Sequence, residues 1–251
     1  MQNRRTILLG LASMPIILYA AGAARAAAPA PATLTTSAGD LVIHPVAHAS
    51  LALVSGAHVL YLDPAKEDFT GLQAPTAILF THAHGDHFDA EALGRMAGSA
   101  KLVVTEEVFG KLPEALKAQA IVMKNGDKAD IDGIPVTAVP AYNTSADRLK
   151  YHPKGVGNGY VLSFGDKQVY VAGDTEDTPK MRALTGIDVA FLPMNLPYTM
   201  TVEQAADAVK AFRPGIVYPY HSRGSDTQKF KDLVGEAAEV RLVDWYANAA
   251  V

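Results

Sequence analysis

The 251-residue chain contains no cysteine. That excludes disulfides and thiolate-held metal, so any bound ion must rely on imidazole, carboxylate, amide or water. A surplus of one charge is also missing: 22 basic against 26 acidic residues leave a formal net charge of -4. This balance gives neither the field that gathers nucleic acid nor a patch that settles on anionic lipid. Aromatic residues make up 8% and charged residues 19%, while 49% are hydrophobic. A disordered chain would have the opposite balance, so the composition predicts one substantial core, or two half-units packed as one. There is no Gly-rich phosphate cradle and no Ser nucleophile elbow, which sets aside the enzymes built on them. No internal repeat and no long linker divides the chain.

The first segment reads as an address, not as part of the fold. Arg4 and Arg5 precede an apolar run over 7–24, and Ala24-Arg25-Ala26 fits a small-residue cleavage pattern. Asn3-Arg4-Arg5-Thr6-Ile7-Leu8 resembles a twin-arginine export signal. An ordinary secretory signal and an uncleaved anchor are the competing readings, and Pro15 within the run favours cleavage over a permanent span. The expectation is a signal peptide over 1–26, a flexible mature terminus over 27–39 and one folded domain over 40–251. The protein would then be exported by the twin-arginine route to the periplasm of a Gram-negative bacterium, with no stable membrane span after cleavage.

From Asp40 onward, short runs rich in Val, Leu and Ile (41–46, 50–54, 58–62) predict an antiparallel meander. A buried strand over 77–80 leads into a His-rich loop. Helices are predicted over 89–96 and 106–118, the latter interrupted by Pro113, with strands over 102–104 and 120–123. A second β-rich section follows over 134–139, 160–164 and 168–172, with Gly165-Asp166 as a hairpin turn. Strands over 189–192, 216–219 and 240–243 then alternate with helices over 202–212 and 227–234. Thr201 and Gln204 have the spacing of a capping box. Strands then helices, twice over, predict two similar halves whose sheets face each other with helices outside, an α/β protein.

Thr81-His82-Ala83-His84-Gly85-Asp86-His87 carries the chemistry. On an extended segment His82 and His84 point to one side. A turn at Gly85 would bring Asp86 and His87 beside them, giving two cation positions in one pocket. Imidazole and carboxylate suit Zn²⁺, one or two ions, and less tightly Mn²⁺ or Fe²⁺. A solvated His-rich turn is the bland alternative.

His-x-His-x-Asp-His after a strand resembles the signature of the metallo-β-lactamase superfamily. The resemblance implies a four-layer αββα sandwich of two pseudo-symmetric halves and covers nearly the whole mature chain. Asp63 in Tyr61-Leu-Asp-Pro64 matches the acidic residue that supports a metal-binding His from behind. Asp174 in Ala172-Gly-Asp-Thr175 matches the carboxylate that bridges two ions, and His221 in Tyr218-Pro-Tyr-His221 matches the last metal histidine. His48 in His48-Ala-Ser50 and the Thr199-Met200 pair resemble the branch holding ascorbate-6-phosphate lactonase and N-acyl-phosphatidylethanolamine phospholipase D-like proteins. One departure stands out: where the family has a further metal histidine, this chain has Asn143 in Val139-Pro-Ala-Tyr-Asn143. An amide oxygen is the weaker ligand, so the resemblance implies one complete site (Asp86, His87, Asp174, His221) and one weakened site (His82, His84), unless His152 substitutes.

His48 has two readings, a catalytic or ligand-orienting group and a hydrogen-bonded core histidine. Asn195 and Tyr198, in the apolar loop before the capped helix, are candidates for a pocket wall, with core packing as the alternative. Arg148, Lys150, Lys154 and Arg223 are either a cationic rim for a substrate anion or solvated charges. The expected activity is hydrolysis of a small-molecule lactone, ester or phosphodiester by metal-activated water, with Asp86 or Asp174 handling protons. The rival is a non-catalytic metal- or partner-binding protein that keeps the fold.

Overall fold

A computed structural model of the protein describes residues 29–247. The expected export segment, 1–26, lies outside the described residues. Two seven-stranded sheets account for the strands, and neighbours in sequence are neighbours in space. In the first sheet β1 (Ala32–Thr36), β2 (Gly39–Ala47), β3 (Ser50–Ser55) and β4 (His58–Leu62) run antiparallel. β5 (Ala77–Leu79), β6 (Lys101–Val104) and β7 (Ala120–Val122) then continue in parallel. The second sheet repeats the scheme. β8 (Lys128–Ile131), β9 (Ile134–Ala141), β10 (Gly157–Phe164) and β11 (Lys167–Val171) are antiparallel. β12 (Val189–Pro193), β13 (Ile216–Tyr220) and β14 (Glu239–Val240) are parallel. The switch has a local cause. Tight turns such as Gly165-Asp166 reverse the chain, whereas parallel pairs need the longer crossovers that carry the helices.

Alternation along the strands decides the layers. Leu41 and Ile43, Leu51 and Leu53, and Leu60 and Leu62 meet Val136, Ala138, Tyr160, Leu162, Val169 and Val171 in one buried core between the sheets. The outer face of the first sheet is covered by α1 (Ala90–Met96) and α2 (Glu106–Lys111). The short α3 (Pro179–Arg182), α4 (Val202–Phe212) and α5 (Thr227–Val234) cover the second. The result is the expected αββα sandwich. The capping box at α4 is formed: Gln204 N–H donates to Thr201 Oγ1 at 3.1 Å and Thr201 N–H to Gln204 Oε1 at 2.9 Å.

One expectation changes, and the interruption expected at Pro113 is found. Residues 32–36, read as flexible, are a strand in register with β2, from Ala32 opposite Ile43 to Thr36 opposite Gly39. The helix expected over 106–118 is divided: α2 stops at Lys111, Leu112 is extended ahead of Pro113, and a 3-10 turn follows over Glu114–Gln119.

The site's location follows from the parallel strands, since the loops after β5, β11 and β13 leave their C-terminal ends at one edge of the sandwich. There the halves meet closely. Asn158 N–H donates to Thr81 O at 2.9 Å, and a Cβ on Gly173 (φ +64°) would stand 2.8 Å from Thr81 Cβ. Only glycine fits that contact.

Candidate metal centre

The loop after β5 presents His82, His84, Asp86 and His87. Its turn is closed by the amides of His87 and Phe88, which both donate to His84 O, at 3.0 and 2.8 Å. Gly85 is not in the left-handed region and a Cβ there would meet nothing. The bend therefore rests on these hydrogen bonds and not on glycine's freedom. Left-handed residues do stand at strand ends beside the site, among them His48 (φ 50°), Asp63 (φ 45°) and His221 (φ 43°). Side chains rarely adopt this conformation, and it clusters where surrounding structure fixes a functional geometry.

Buried Asp63 organises the donors from behind. Its Oδ1 accepts Thr81 N–H at 2.7 Å, and its Oδ2 accepts both the Thr81 hydroxyl at 2.6 Å and His87 Nδ1–H at 2.8 Å. Because the Thr81 proton goes to the carboxylate, Thr81 Oγ1 is free to accept His82 Nδ1–H at 3.0 Å. His152 Nδ1 donates to Tyr198 O at 3.0 Å. All three rings thereby turn Nε2 inward, with His82 Nε2 3.0 Å from His84 Nδ1, the arrangement by which a carboxylate or carbonyl prepares imidazole for a metal.

The inward-facing atoms form two clusters joined by Asp174. Three groups of ligand atoms lie within reach of one ion each: His82, His84 and His152; His82, His87 and Asp174; and His48, Asp86 and His221. The last two are linked through His87 and His221 to both carboxylates and make up one cluster, and the first is the other. Asp174 Oδ2 lies 3.2 Å from His152 Nε2 and 3.4 Å from His221 Nε2, and its Oδ1 lies 3.4 Å from His87 Nε2. Asp86 Oδ2 lies 3.3 Å from His221 Nε2 and 3.1 Å from His48 Nε2. His87 Nε2, His152 Nε2 and Asp174 Oδ1 are buried without a hydrogen-bond partner. Buried polar atoms are nearly always paired, so this convergence of unpaired donors fits divalent cations.

The electrostatics agree. Burial opposes charge on Asp174, yet His221 and His87 beside it hold its carboxyl well below the ordinary range. Burial also opposes ionisation of Asp86, and hydrogen bonds from His221 and His48 outweigh it and lower the carboxyl. Burial lowers His82 and His84. It would lower His87 as well, but Asp174 and Asp63 carry that ring up to about 9.

Asn143 takes no place in either cluster of imidazoles and carboxylates. Its Nδ2 donates to Tyr198 O at 2.6 Å and Arg148 O at 3.0 Å, and its backbone N–H donates to His152 O at 2.8 Å. His152, nine residues on in a loop that folds back, stands with His82 and His84 instead. That loop is fastened by Glu176, which pairs with Arg148 Nη1 at 2.5 Å and accepts the amides of Thr144 and Ser145, both at 2.6 Å.

Two adjoining cavities open onto the clusters. One, of about 440 Å³, is lined by His84, Asp86, Tyr151, His152, Asp174, Tyr198 and His221. The other, of about 250 Å³, shares four of these residues and adds eight more, among them His82, Glu107, Lys150 and Val156. Of the expected wall residues, Tyr198 lines the larger cavity, while Asn195 is 9% exposed and lines neither. Arg223 faces a separate groove and lies 5.0 Å from the Tyr246 ring. Of the four cations considered for a rim, Lys150 alone lines the site: Arg148 is bound to Glu176 and Lys154 sits over the Tyr142 ring at 5.4 Å. The sequence reading missed Tyr151, Tyr246, Glu107 and Glu176, which sit in no motif; the Glu directly after Ala172-Gly-Asp-Thr175 was the one available signal.

A model of the beta-lactamase superfamily domain matches residues 42–222. A UPF0173 metal-dependent hydrolase of Pyrococcus horikoshii is 38% identical over 189 residues, 70% of this chain and 80% of that protein. A crystal structure from Parabacteroides distasonis, described as a candidate metal-dependent hydrolase, is 39% identical with a TM-score of 0.80, covering 86% of this chain and 99% of that one. A metallo hydrolase of the archaeon Ignicoccus hospitalis is 28% identical with a TM-score of 0.67, covering 80% and 94%. The archaeal relatives correct the expectation of a signal peptide and a periplasm: archaea have no periplasm, and the shared fold and chemistry therefore do not depend on one. Among the described residues no helix is long and apolar enough to cross a membrane.

Proposed function

The chain belongs to the beta-lactamase superfamily of metal-dependent hydrolases, and we propose that it uses two Zn²⁺ ions to hydrolyse a small lactone or ester of little negative charge. His82, His84 and His152 would hold one ion, and Asp86, His87 and His221 the other, with Asp174 between them. Imidazole-rich donors with shared carboxylates suit Zn²⁺, with Fe²⁺ and Mn²⁺ next. When bound, such ions lower the pKa of water towards about 7 and polarise a carbonyl oxygen.

The chain's own residues supply the rest. Asp63 and Tyr198 O fix the orientation of the ligand rings they bond, so that Nε2 faces the cluster. Asp86, half exposed at the floor of the larger cavity, is placed to accept the proton released when water attacks. His48 bonds Asp86 from outside and keeps it oriented. Tyr151 and Tyr198, with ring centroids 5.0 Å apart, form the wall against which a substrate's apolar part packs. The observation that carries the choice of substrate is the loss of the cationic rim. With Arg148 and Arg223 engaged elsewhere, Lys150 is the single cation on the wall, which suits a carbonyl ester better than a phosphodiester.

The test is a panel of lactones, carboxylic esters and phosphodiesters offered to protein reconstituted with Zn²⁺, alongside its metal content. Two ions per chain with turnover of lactones or esters is expected. Turnover confined to phosphodiesters would overturn the substrate reading, and one ion per chain would overturn the two-ion reading.

A further inference from the structure

Tyr246 belongs to no motif, yet its hydroxyl reaches into the site. It lies 3.0 Å from His48 Nδ1 and accepts the amide N–H of Ser222 at 2.8 Å. On the far side of the imidazole, His48 Nε2 lies 3.1 Å from Asp86 Oδ2. These three contacts leave little choice of proton positions. An ionised carboxylate only accepts, a backbone amide only donates, and a neutral imidazole carries a single N–H. A hydrogen on Nδ1 would set the Nε2 lone pair against the Asp86 oxygen. A hydrogen on Nε2 donates to Asp86 and leaves Nδ1 to accept the Tyr246 proton. A fully protonated ring keeps the Nε2 bond too, so the direction does not depend on the ring's charge.

We propose that Tyr246 is a positioning residue: its hydroxyl, oriented by the Ser222 amide, selects the His48 tautomer that donates from Nε2 to Asp86, and so holds the Asp86 carboxylate at the metal cluster. The backbone supports the same role. His48 N–H donates to Trp245 O at 3.0 Å, and His48 O accepts His221 N–H at 2.9 Å. The C-terminal stretch thus holds the β2–β3 turn at His48 and the chain just past β13 at Ser222, while His48 bonds His221 directly, and His48 and His221 are both in the left-handed region. Asp86 needs such an anchor because its side chain is 48% exposed, whereas that of Asp174 is 3% exposed. It follows that His48, grouped by distance with Asp86 and His221, acts on Asp86 and does not coordinate through Nε2.

The metal half of this proposal rests on the reading of Asp86 as a ligand; the tautomer does not. Two-bond ¹H–¹⁵N correlations of the imidazoles, recorded on the full chain without metal and with Zn²⁺ alone, should show His48 protonated on Nε2 and accepting at Nδ1 in both. In Tyr246→Phe the His48 Nδ1 signal should move and the Nε2 tautomer lose its excess, while the His82, His87 and His152 signals stay. Calorimetry with Zn²⁺ should then show one binding step weakened about tenfold. Wild-type His48 protonated on Nδ1, or its Nε2 shifting to a metal-bound position with Zn²⁺, would overturn the proposal. So would a Tyr246→Phe chain whose His48 signals and Zn²⁺ affinity both match wild type. Wild-type protein that shows the tautomer but binds a single ion supports the role of Tyr246 and overturns the two-ion reading instead.

Discussion

The two donor clusters share Asp174 and are built on different foundations. On the His87 side the support is buried and short-range: Asp63, fully buried, takes His87 Nδ1–H and both Thr81 donors, and the loop leaves directly from β5. On the His152 side the imidazole sits in the long connection between β9 and β10. Its ring is set by a carbonyl, and its loop is fastened by Asn143 and the Arg148–Glu176 pair. Strand ends packed between two sheets move little, whereas a loop held by polar bonds is only as firm as those bonds. The comparison teaches that each imidazole is placed by what stands behind it, and that this is achieved in two separate ways.

The largest effect is expected where the clusters meet. Asp174→Ala removes the carboxylate that faces His87, His152 and His221. Replacing a partner behind a ligand typically costs 10–100-fold in affinity, so loss of the shared carboxylate should weaken both Zn²⁺ steps by more than about a hundredfold. Hydrolysis should fall at least as far. Calorimetry and the ester panel read both quantities, and a variant in which one step alone weakens would show that Asp174 serves a single cluster.

Legibility in the sequence followed the same division. The loop 82–87 packs four donors into six residues after a buried strand, so composition and spacing alone exposed it. Asp63, Asp174 and His221 end strands, and each stands in a short local pattern that the superfamily resemblance could match. His152 had only the gap left by Asn143 to point to it, because nothing in a spacing of nine residues tells that a loop folds back. Tyr246 and Tyr151 lie in irregular segments without periodicity, and their roles arise from tertiary contact. The fold divides likewise. The edges of α4 and α5 agree with the expectation because capping and amphipathic spacing mark them. β1 was unreadable, since Ala32-Thr-Leu-Thr-Thr36 has little to bury and is ordered by its ladder to β2.

Arg148→Ala sharpens the comparison by striking one foundation alone. The Glu176 side chain is wholly buried and that of Arg148 is 14% exposed, so the variant leaves a carboxylate without its cation inside the loop. Breaking such a pair costs about 3 kcal/mol, which urea unfolding would read as a lower midpoint with an unchanged slope. One Zn²⁺ step, at His82, His84 and His152, should weaken by about tenfold as His152 loosens. The other step should hold, because Asp63 and Thr81 are untouched. Equal weakening of both steps would mean that the loop supports the whole centre.

The smallest effect concerns protons, and its sign follows from the rings. Without metal, burial works against charge on His87, but Asp174 and Asp63 lift its pKa to about 9, above the ordinary 6.5. Below about 9 this ring therefore carries a proton that must leave before Nε2 can bind. His82 and His84 are shifted the other way, chiefly by burial, so they are already neutral at pH 7.5. Ligands bind metal only when deprotonated, so the His87 step should release about one proton at pH 7.5 and weaken by about tenfold for each pH unit lost below 9. The step that includes His82 and His84 should release fewer protons and depend less on pH over the same range. Titrations in two buffers with different heats of ionisation separate proton release from binding heat. Equal release in both steps would show that the carboxylates behind and beside His87 do not set it apart, and the contrast between the two clusters would then reduce to their backbones.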